Sequence, residues 1–283
     1  MMSRYLFILL FVVGCATSRS SQQSTSEPEF SVMTYNIRLN TPSDGENAWP
    51  KRRAFLASQI AFHQPKVLGI QEGLPDQVDW LSENLGAYDF VGEGRLGGHT
   101  GEYSAIFYRS SELETLRSGT FWLSESPEVV STGWDAALPR ICTWAEFKFI
   151  GSEASFMVFN THFDHVGAEA RRQSSDLILR QLLALNPEGL PAIVMGDLNL
   201  SPETEPIRRF SDALVDVYEA ATVRLGPAAT FNSFQTDRIP TRRIDYIFVS
   251  PTIQVDRMAT LTDYVEGRYA SDHFPVLAWL ALP

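Results

Sequence analysis

The chain carries a series of short apolar runs of β-strand length, and each one begins or ends on a polar residue capable of chemistry. "FSVMTYNIR" delivers Asn36, "KVLGIQE" ends on Glu72, and Glu102 opens "EYSAIFYR". "ASFMVFNTH" ends on Asn160 and His162, and "AIVMGDLN" on Asp197 and Asn199. Asp245 interrupts "RRIDYIFVS", and Asp272-His273 precede the last strand in "SDHFPV". A single Asp or Asn at a strand end is ordinarily a turn or a helix cap. Packing alone does not explain Asn, Asp, Glu or His at the end of so many buried strands.

Helical segments separate these runs. "WPKRRAFLASQIAFHQP" has Pro50 in its first turn and Ala54, Leu56, Ala57, Ile60 and Ala61 at helical spacing. "PDQVDWLSENL" opens on Pro75, a longer helix is expected from about Gly167 to Leu185, and a short one near Pro206. Glycines 92, 94, 97, 98 and 101 mark a long loop. "GTFWLSE", "ICTWAEFKF", "IQVDRMATL" and "FPVLAWLAL" complete the strands, mostly as antiparallel meanders. The pattern predicts an α/β (α+β) fold, a four-layer sandwich. Two mixed, mostly antiparallel β-sheets pack face to face with helices on the outside.

A chain of 283 residues with 44% hydrophobic content can bury a large core. Its formal charge of −11, with no basic run, argues against holding nucleic acid by bulk electrostatics. A local cationic pocket for a phosphate is compatible with that balance.

Residues 1–14 read as a signal peptide, with Arg4 before an apolar stretch from Tyr5 to Val13. That stretch is short for a membrane span. "VVGC" resembles a bacterial lipobox, which makes Cys15 the expected lipidation site and places the protein at the cell envelope. Residues 15–29 are Ser/Gln-rich and expected to be a flexible tether, leaving 30–283 as the folded domain. With Cys15 lipidated, Cys142 is the one remaining thiol, so neither a disulfide nor a thiolate zinc site is available.

Residues i and i+2 on a strand face the same way, so Asn160 with His162, and Asp197 with Asn199, can each project as a pair. Carboxylates and carboxamides are oxygen ligands suited to Mg²⁺ or Mn²⁺. Histidines can donate to phosphate oxygens, and an aspartate can orient and deprotonate a water for in-line attack. Arg140, and Arg171 on the helix after the His162 loop, are candidate cations for a phosphate.

"TYNIR", "QEG", "GEYSAIFYR", "NTHFDH", "GDLNLSP", "RIDYIF" and "SDHFPV" occur in one order, from Phe30 to the C-terminus. By these motifs the chain resembles the endonuclease/exonuclease/phosphatase superfamily, the DNase-I-like hydrolases. The resemblance implies that Glu72, Asn36 and Asp272 hold the metal. Asp197 then activates the attacking water, and Asn199 helps hold the phosphate. His162 contacts the phosphate with Glu102 as its orienting partner, and His273 does so polarised by Asp245. A carboxylate behind each imidazole would favour its protonated form. Arg38 stands where some nuclease members carry an aspartate, which weakens the case for a second metal. "TRRIDYIF" lacks the Trp/Arg-rich motif of the inositol-lipid phosphatases.

The expected function is Mg²⁺-dependent phosphoester hydrolysis, by a monomeric phosphodiesterase or nuclease outside the cytoplasm. A phosphomonoesterase or sphingomyelinase-type phospholipase on the same metal site is the alternative. An inactive surface-binding module is the remote one.

Overall fold

A computed structural model describes residues 29–283. The signal peptide, Cys15 and the tether up to residue 28 lie outside the described residues. The order is β1 (Glu29–Asn36), α1 (Trp49–His63), β2 (Val67–Gln71), α2 (Pro75–Asn84), β3 (Tyr88–Val91), β4 (Ile106–Arg109), β5 (Leu113–Trp122) and β6 (Ile141–Phe149). There follow β7 (Ser155–His162), α3 (Ala168–Leu185), β8 (Ala192–Asp197), α4 (Glu205–Ala213), β9 (Val215–Asp216) and α5 (Val217–Ala220). The chain closes with β10 (Val223–Leu225), β11 (Asp245–Val249), β12 (Gln254–Thr260) and β13 (Val276–Ala281).

One sheet has 7 strands in the order β10-β12-β13-β1-β2-β4-β3, and the other has 6 in the order β5-β6-β7-β8-β11-β9. Neighbours are antiparallel except β1 with β2, β7 with β8 and β10 with β12. The sheets share a core that includes Val32, Val67, Phe147, Val158, Ile193 and Ile247. On the outer face of the larger sheet, Leu56 and Ile60 of α1 and Leu81 of α2 cover Met33, Tyr35 and Leu68. Beyond the other sheet, Ile178 and Leu182 of α3 and Phe210 of α4 cover Phe159, Val194 and Phe248. The expected four layers are therefore present, each strand layer apolar on both sides.

Burial on both faces explains why the alternation in "FSVMTYNIR" is imperfect. β1 is central, and from Phe30 onward all its residues are buried, Thr34 included.

The helix ends show how the loops are tied down. Gln64 closes α1 in the left-handed conformation (φ 48°). The first turn of α3 has no cap of its own. Asp135, from a distant loop, accepts from the Ala170 and Glu169 N–H groups at 2.6 and 3.2 Å. The stretch "EYSAIFYR" is only half strand. β4 starts at Ile106, and Tyr103 merely bridges Gly73 and Gly94, so Glu102 stands on a loop.

Candidate active site

The parallel and antiparallel registers of three adjacent strands bring their polar ends to one level. His162 of β7 is the register partner of Asp197 of β8, which in turn faces Asp245 of β11. This alignment requires Gly196. Its φ is 148°, and a Cβ there would stand 1.9 Å from the Thr161 carbonyl oxygen. From the other sheet, β1 ends on Asn36 opposite Gln71, and Glu72 follows in the left-handed conformation (φ 63°). Asn199 (φ 52°) and Arg38 (φ 55°) share that conformation, which non-glycine residues seldom adopt.

Asp197 sits at the centre and is buried. Its Oδ2 accepts from Asn36 Nδ2 at 3.0 Å and its Oδ1 from the Asn199 N–H at 2.9 Å. His162 Nε2 and His273 Nε2 lie 3.5 and 3.7 Å from Oδ2. Burial, and then the neighbouring Asp245 carboxylate, push the Asp197 pKa well up. His273 and the two hydrogen bonds offset this in part.

The two histidines differ. Burial opposes charge on His273, but Asp245 and Asp197 outweigh it and drive its pKa up. His273 Nδ1 donates to Asp245 Oδ2 at 2.9 Å. Burial also opposes charge on His162, and there Arg140, His273 and Arg95 add to the effect, so its pKa falls well below the ordinary value. Asn199 Nδ2 donates to His162 Nε2 at 3.2 Å and to the Phe163 carbonyl at 3.1 Å, which suits a neutral ring.

The expectation of two protonated imidazoles is thus corrected for His162. Glu102, expected behind it, is bound elsewhere. Both of its oxygens pair with Arg95, at 2.7 and 2.9 Å, and it makes no hydrogen bond to His162.

A cavity of about 380 Å³ opens over this cluster. Glu72, Asp197, Asp272, His162, His273 and Asn199 line it. So do four arginines, Arg38, Arg95, Arg140 and Arg242. Arg38 is clamped by Asp44 through two 3.0 Å bonds and lies 3.9 and 4.0 Å from Glu72 and Asp272. Arg140 pairs with Asp164 at 3.4 Å and donates to His165 Nδ1 at 3.0 Å. Arg242 has no carboxylate partner among the described residues and lies over the Phe231 ring, 5.1 Å from its centroid.

Three expected site residues stand away from the cavity. Asn160 is fully buried between the sheets. Its amide donates to the Ile70 and Ala105 carbonyls at 2.9 Å, and its oxygen accepts from Gln71 Nε2 at 2.7 Å. Gly69 makes room for it, since a Cβ there would lie 2.7 Å from the Asn160 carboxamide. Asn160 does share a face of β7 with His162, but only the strand end reaches the cavity. Arg171 donates to the Asp164 carbonyl at 3.0 Å and so supports the loop beneath Arg140 instead of meeting a phosphate. Asn36 keeps its amide nitrogen between Glu72 (2.9 Å) and Asp197, while the Arg38 N–H occupies its oxygen at 3.0 Å. It holds the Glu72 and Asp197 carboxylates together, and its oxygen keeps one lone pair besides the Arg38 bond.

Sequence reasoning missed Arg95, Arg242 and Phe231, which belong to loops without periodicity. It also missed Arg52. This arginine is buried against Trp49 and donates to the carbonyls of Ile37, Arg38 and Ala270, tying the β1 exit to the Asp272 loop.

The donor set fits a hard divalent cation. Glu72, His162 and Asp197 bring ligand atoms within 4.8 Å of one another, as do Asp197, Asp245 and His273. Asp272 adds another carboxylate to the same wall. Burial and the Glu72 charge push the Asp272 pKa up against the opposing His273 and arginine charges, a strain that a bound cation relieves.

Comparisons with known proteins agree with this geometry. Residues 33–273 match the model of the Endonuclease/Exonuclease/phosphatase family. A structure of a family protein from Bacteroides thetaiotaomicron superposes with a TM-score of 0.88 at 38% identity, covering 91% of this chain and 99% of that one. A mannosyl-6-phosphatase from Bacteroides thetaiotaomicron VPI-5482 gives 0.86 at 38% identity, covering 89% and 99%. An uncharacterized protein of Acanthamoeba polyphaga mimivirus is 29% identical over 163 residues, 53% of this chain and 59% of the viral one. The members of this superfamily are phosphoester hydrolases, and the chain belongs to the endonuclease/exonuclease/phosphatase family.

Proposed function

We propose that this protein is a Mg²⁺- or Mn²⁺-dependent phosphatase that hydrolyses the monoester of a small, polar organic phosphate. The observation that carries the reading is the cavity. Asp197 and His273, which is backed by Asp245, line it, and about 380 Å³ is the size of a small-ligand pocket, not of a groove for a duplex. Arg242, without a carboxylate partner among the described residues, supplies positive charge suited to a dianionic monoester. The likeness to a mannosyl-6-phosphatase at 38% identity supports the same choice.

Asp197, raised in pKa, takes the proton of the attacking water as its oxygen bonds to phosphorus and the ester P–O bond breaks, and the leaving alkoxide takes a proton from solvent. His273, held as imidazolium by Asp245, donates Nε2–H to a phosphoryl oxygen as charge develops there. The Asn199 N–H and the Asn36 amide fix the face of Asp197 that meets the water. Glu72 and Asp272 would hold the metal, which neutralises phosphoryl charge when bound.

The test is a panel of p-nitrophenyl phosphate, hexose phosphates, nucleotides, bis-p-nitrophenyl phosphate and single-stranded DNA. Each is assayed with Mg²⁺, with Mn²⁺ and with EDTA, with Asp197→Asn as control. Faster turnover of the diesters than of any monoester would replace this reading with the phosphodiesterase or nuclease one. Turnover that survives EDTA or Asp197→Asn would sink the mechanism.

We also propose that residues 1–14 are removed and Cys15 is lipidated, anchoring the domain at the cell envelope. Labelling with radioactive palmitate checks this. The label should be lost in Cys15→Ala.

A further inference from the structure

We infer that Arg95, Glu102 and Arg140 form a hydroxyl-binding subsite, and that the substrate's leaving group is a polyol such as a sugar. The inference rests on the phosphatase reading above. All three residues line the catalytic cavity, and together with His162 they also line a smaller recess next to it. Arg95 and Glu102 are held by one hydrogen bond and an ion-pair contact, which fix the carboxylate in place.

Glu102 Oε2 accepts one hydrogen bond from Arg95 Nη1, Oε1 lies 2.7 Å from Nη2 in the ion pair, and each oxygen has capacity for a further donor. Lining the same recess are guanidinium donors that no protein acceptor among the described residues uses, Arg95 Nε and Arg140 Nη1. A recess lined by both an acceptor and free donors suits vicinal hydroxyls, which both donate and accept.

Other leaving groups fit poorly. A second phosphate would meet the Glu102 carboxylate. A nucleobase needs a flat apolar face, and Phe231, the aromatic ring lining the cavity besides the histidines, is edge-on to His273 and covered by Arg242. Leu138, 37% exposed at the rim two residues from Arg140, offers an apolar contact for a sugar's C–H face.

The experiment compares mannose-6-phosphate with p-nitrophenyl phosphate, which shares the phosphate but has no hydroxyls. Glu102→Gln keeps size and removes charge, and Leu138→Trp crowds the rim at an exposed position. In both variants, KM for mannose-6-phosphate should rise, about ten- to hundredfold in Glu102→Gln, the loss of one or two hydrogen bonds to a charged group. Kinetics on p-nitrophenyl phosphate should change less than about twofold, and melting temperature confirms that both variants fold.

Equal loss on both substrates in Glu102→Gln would make Glu102 part of the reaction machinery and overturn the subsite. So would no change on either substrate in both variants. Failure of the wild-type protein to hydrolyse any monoester would instead overturn the phosphatase reading, and the subsite with it.

Discussion

His273 Nδ1 lies 2.9 Å from Asp245 Oδ2, while Nε2 of the same ring lies 3.7 Å from Asp197 Oδ2, so one imidazole stands between two buried carboxylates. Their charges hold His273 protonated at neutral pH even though burial opposes it. Replacing Asp245 with Asn removes the larger of the two. In the pH profile of kcat/KM, the alkaline limb should then move to lower pH by a unit or more, with a fall in rate of about a hundredfold. The raised histidine also contributes stability. That contribution is complete below the ordinary histidine value near 6.5 and is lost as pH rises through the folded-state pKa. Denaturant midpoints of wild type and Asp245→Asn should therefore converge at high pH.

Asp197 shows the opposite coupling. Its pKa is raised by burial and by Asp245, so as an anion at neutral pH it costs the fold stability. Asp197→Asn should lower kcat by about 10²- to 10⁴-fold. It should also raise the melting temperature by on the order of a few degrees above pH 7. Calorimetry checks the second outcome, and a lower melting temperature would contradict the assignment.

Asp164 is set the other way. Burial opposes its charge, yet the N–H groups of Gly167, Val166 and Ala137 and the Arg140 guanidinium hold its pKa at about 2. Its contribution is present above the ordinary aspartate value and is lost as pH falls through about 2. Asp164→Ala should cost about 1–3 kcal/mol at neutral pH and leave Arg140 without a carboxylate partner, which denaturant titration would measure. The difference from wild type should vanish in strong acid.

Metal binding gives a readout that does not depend on turnover. Saturating Mn²⁺ at about a hundred times its Kd should stabilise the wild-type protein by about 2.7 kcal/mol. Glu72→Gln should lose most of that gain while remaining folded. An unchanged Mn²⁺ response in this variant would exclude Glu72 as a ligand.

Gly196 admits no side chain. With a Cβ 1.9 Å from the Thr161 oxygen, Gly196→Ala must part β7 from β8 and should cost more than about 3 kcal/mol. Loss of soluble protein, or a melting temperature lowered by more than about 10 °C, is the expected outcome.

Strand and helix periodicity determined the layered fold, and the order of the motifs, through the family resemblance, implied the membership of Asn36, Glu72, His162, Asp197, Asn199, Asp245, Asp272 and His273 in one cluster. Those signals are local, since they need only the repeat of 2 or 3.6 residues and the residue types. What each side chain does in the cluster was decided by tertiary structure. Asn199 reaches the site through a left-handed turn after β8 ends at Asp197, not by strand alternation. Asn160 obeys the alternation yet lies between the sheets, because its strand places only its last residue at the cavity. Glu102 pairs with Arg95 across a glycine-rich loop whose path carries no period. His162 is neutral and His273 charged because burial acts on both, while His273 has Asp245 at 2.9 Å besides Asp197 and His162 faces the Arg140 and Arg95 charges. Distances between residues far apart in the chain set these charge states, and a linear sequence does not contain those distances.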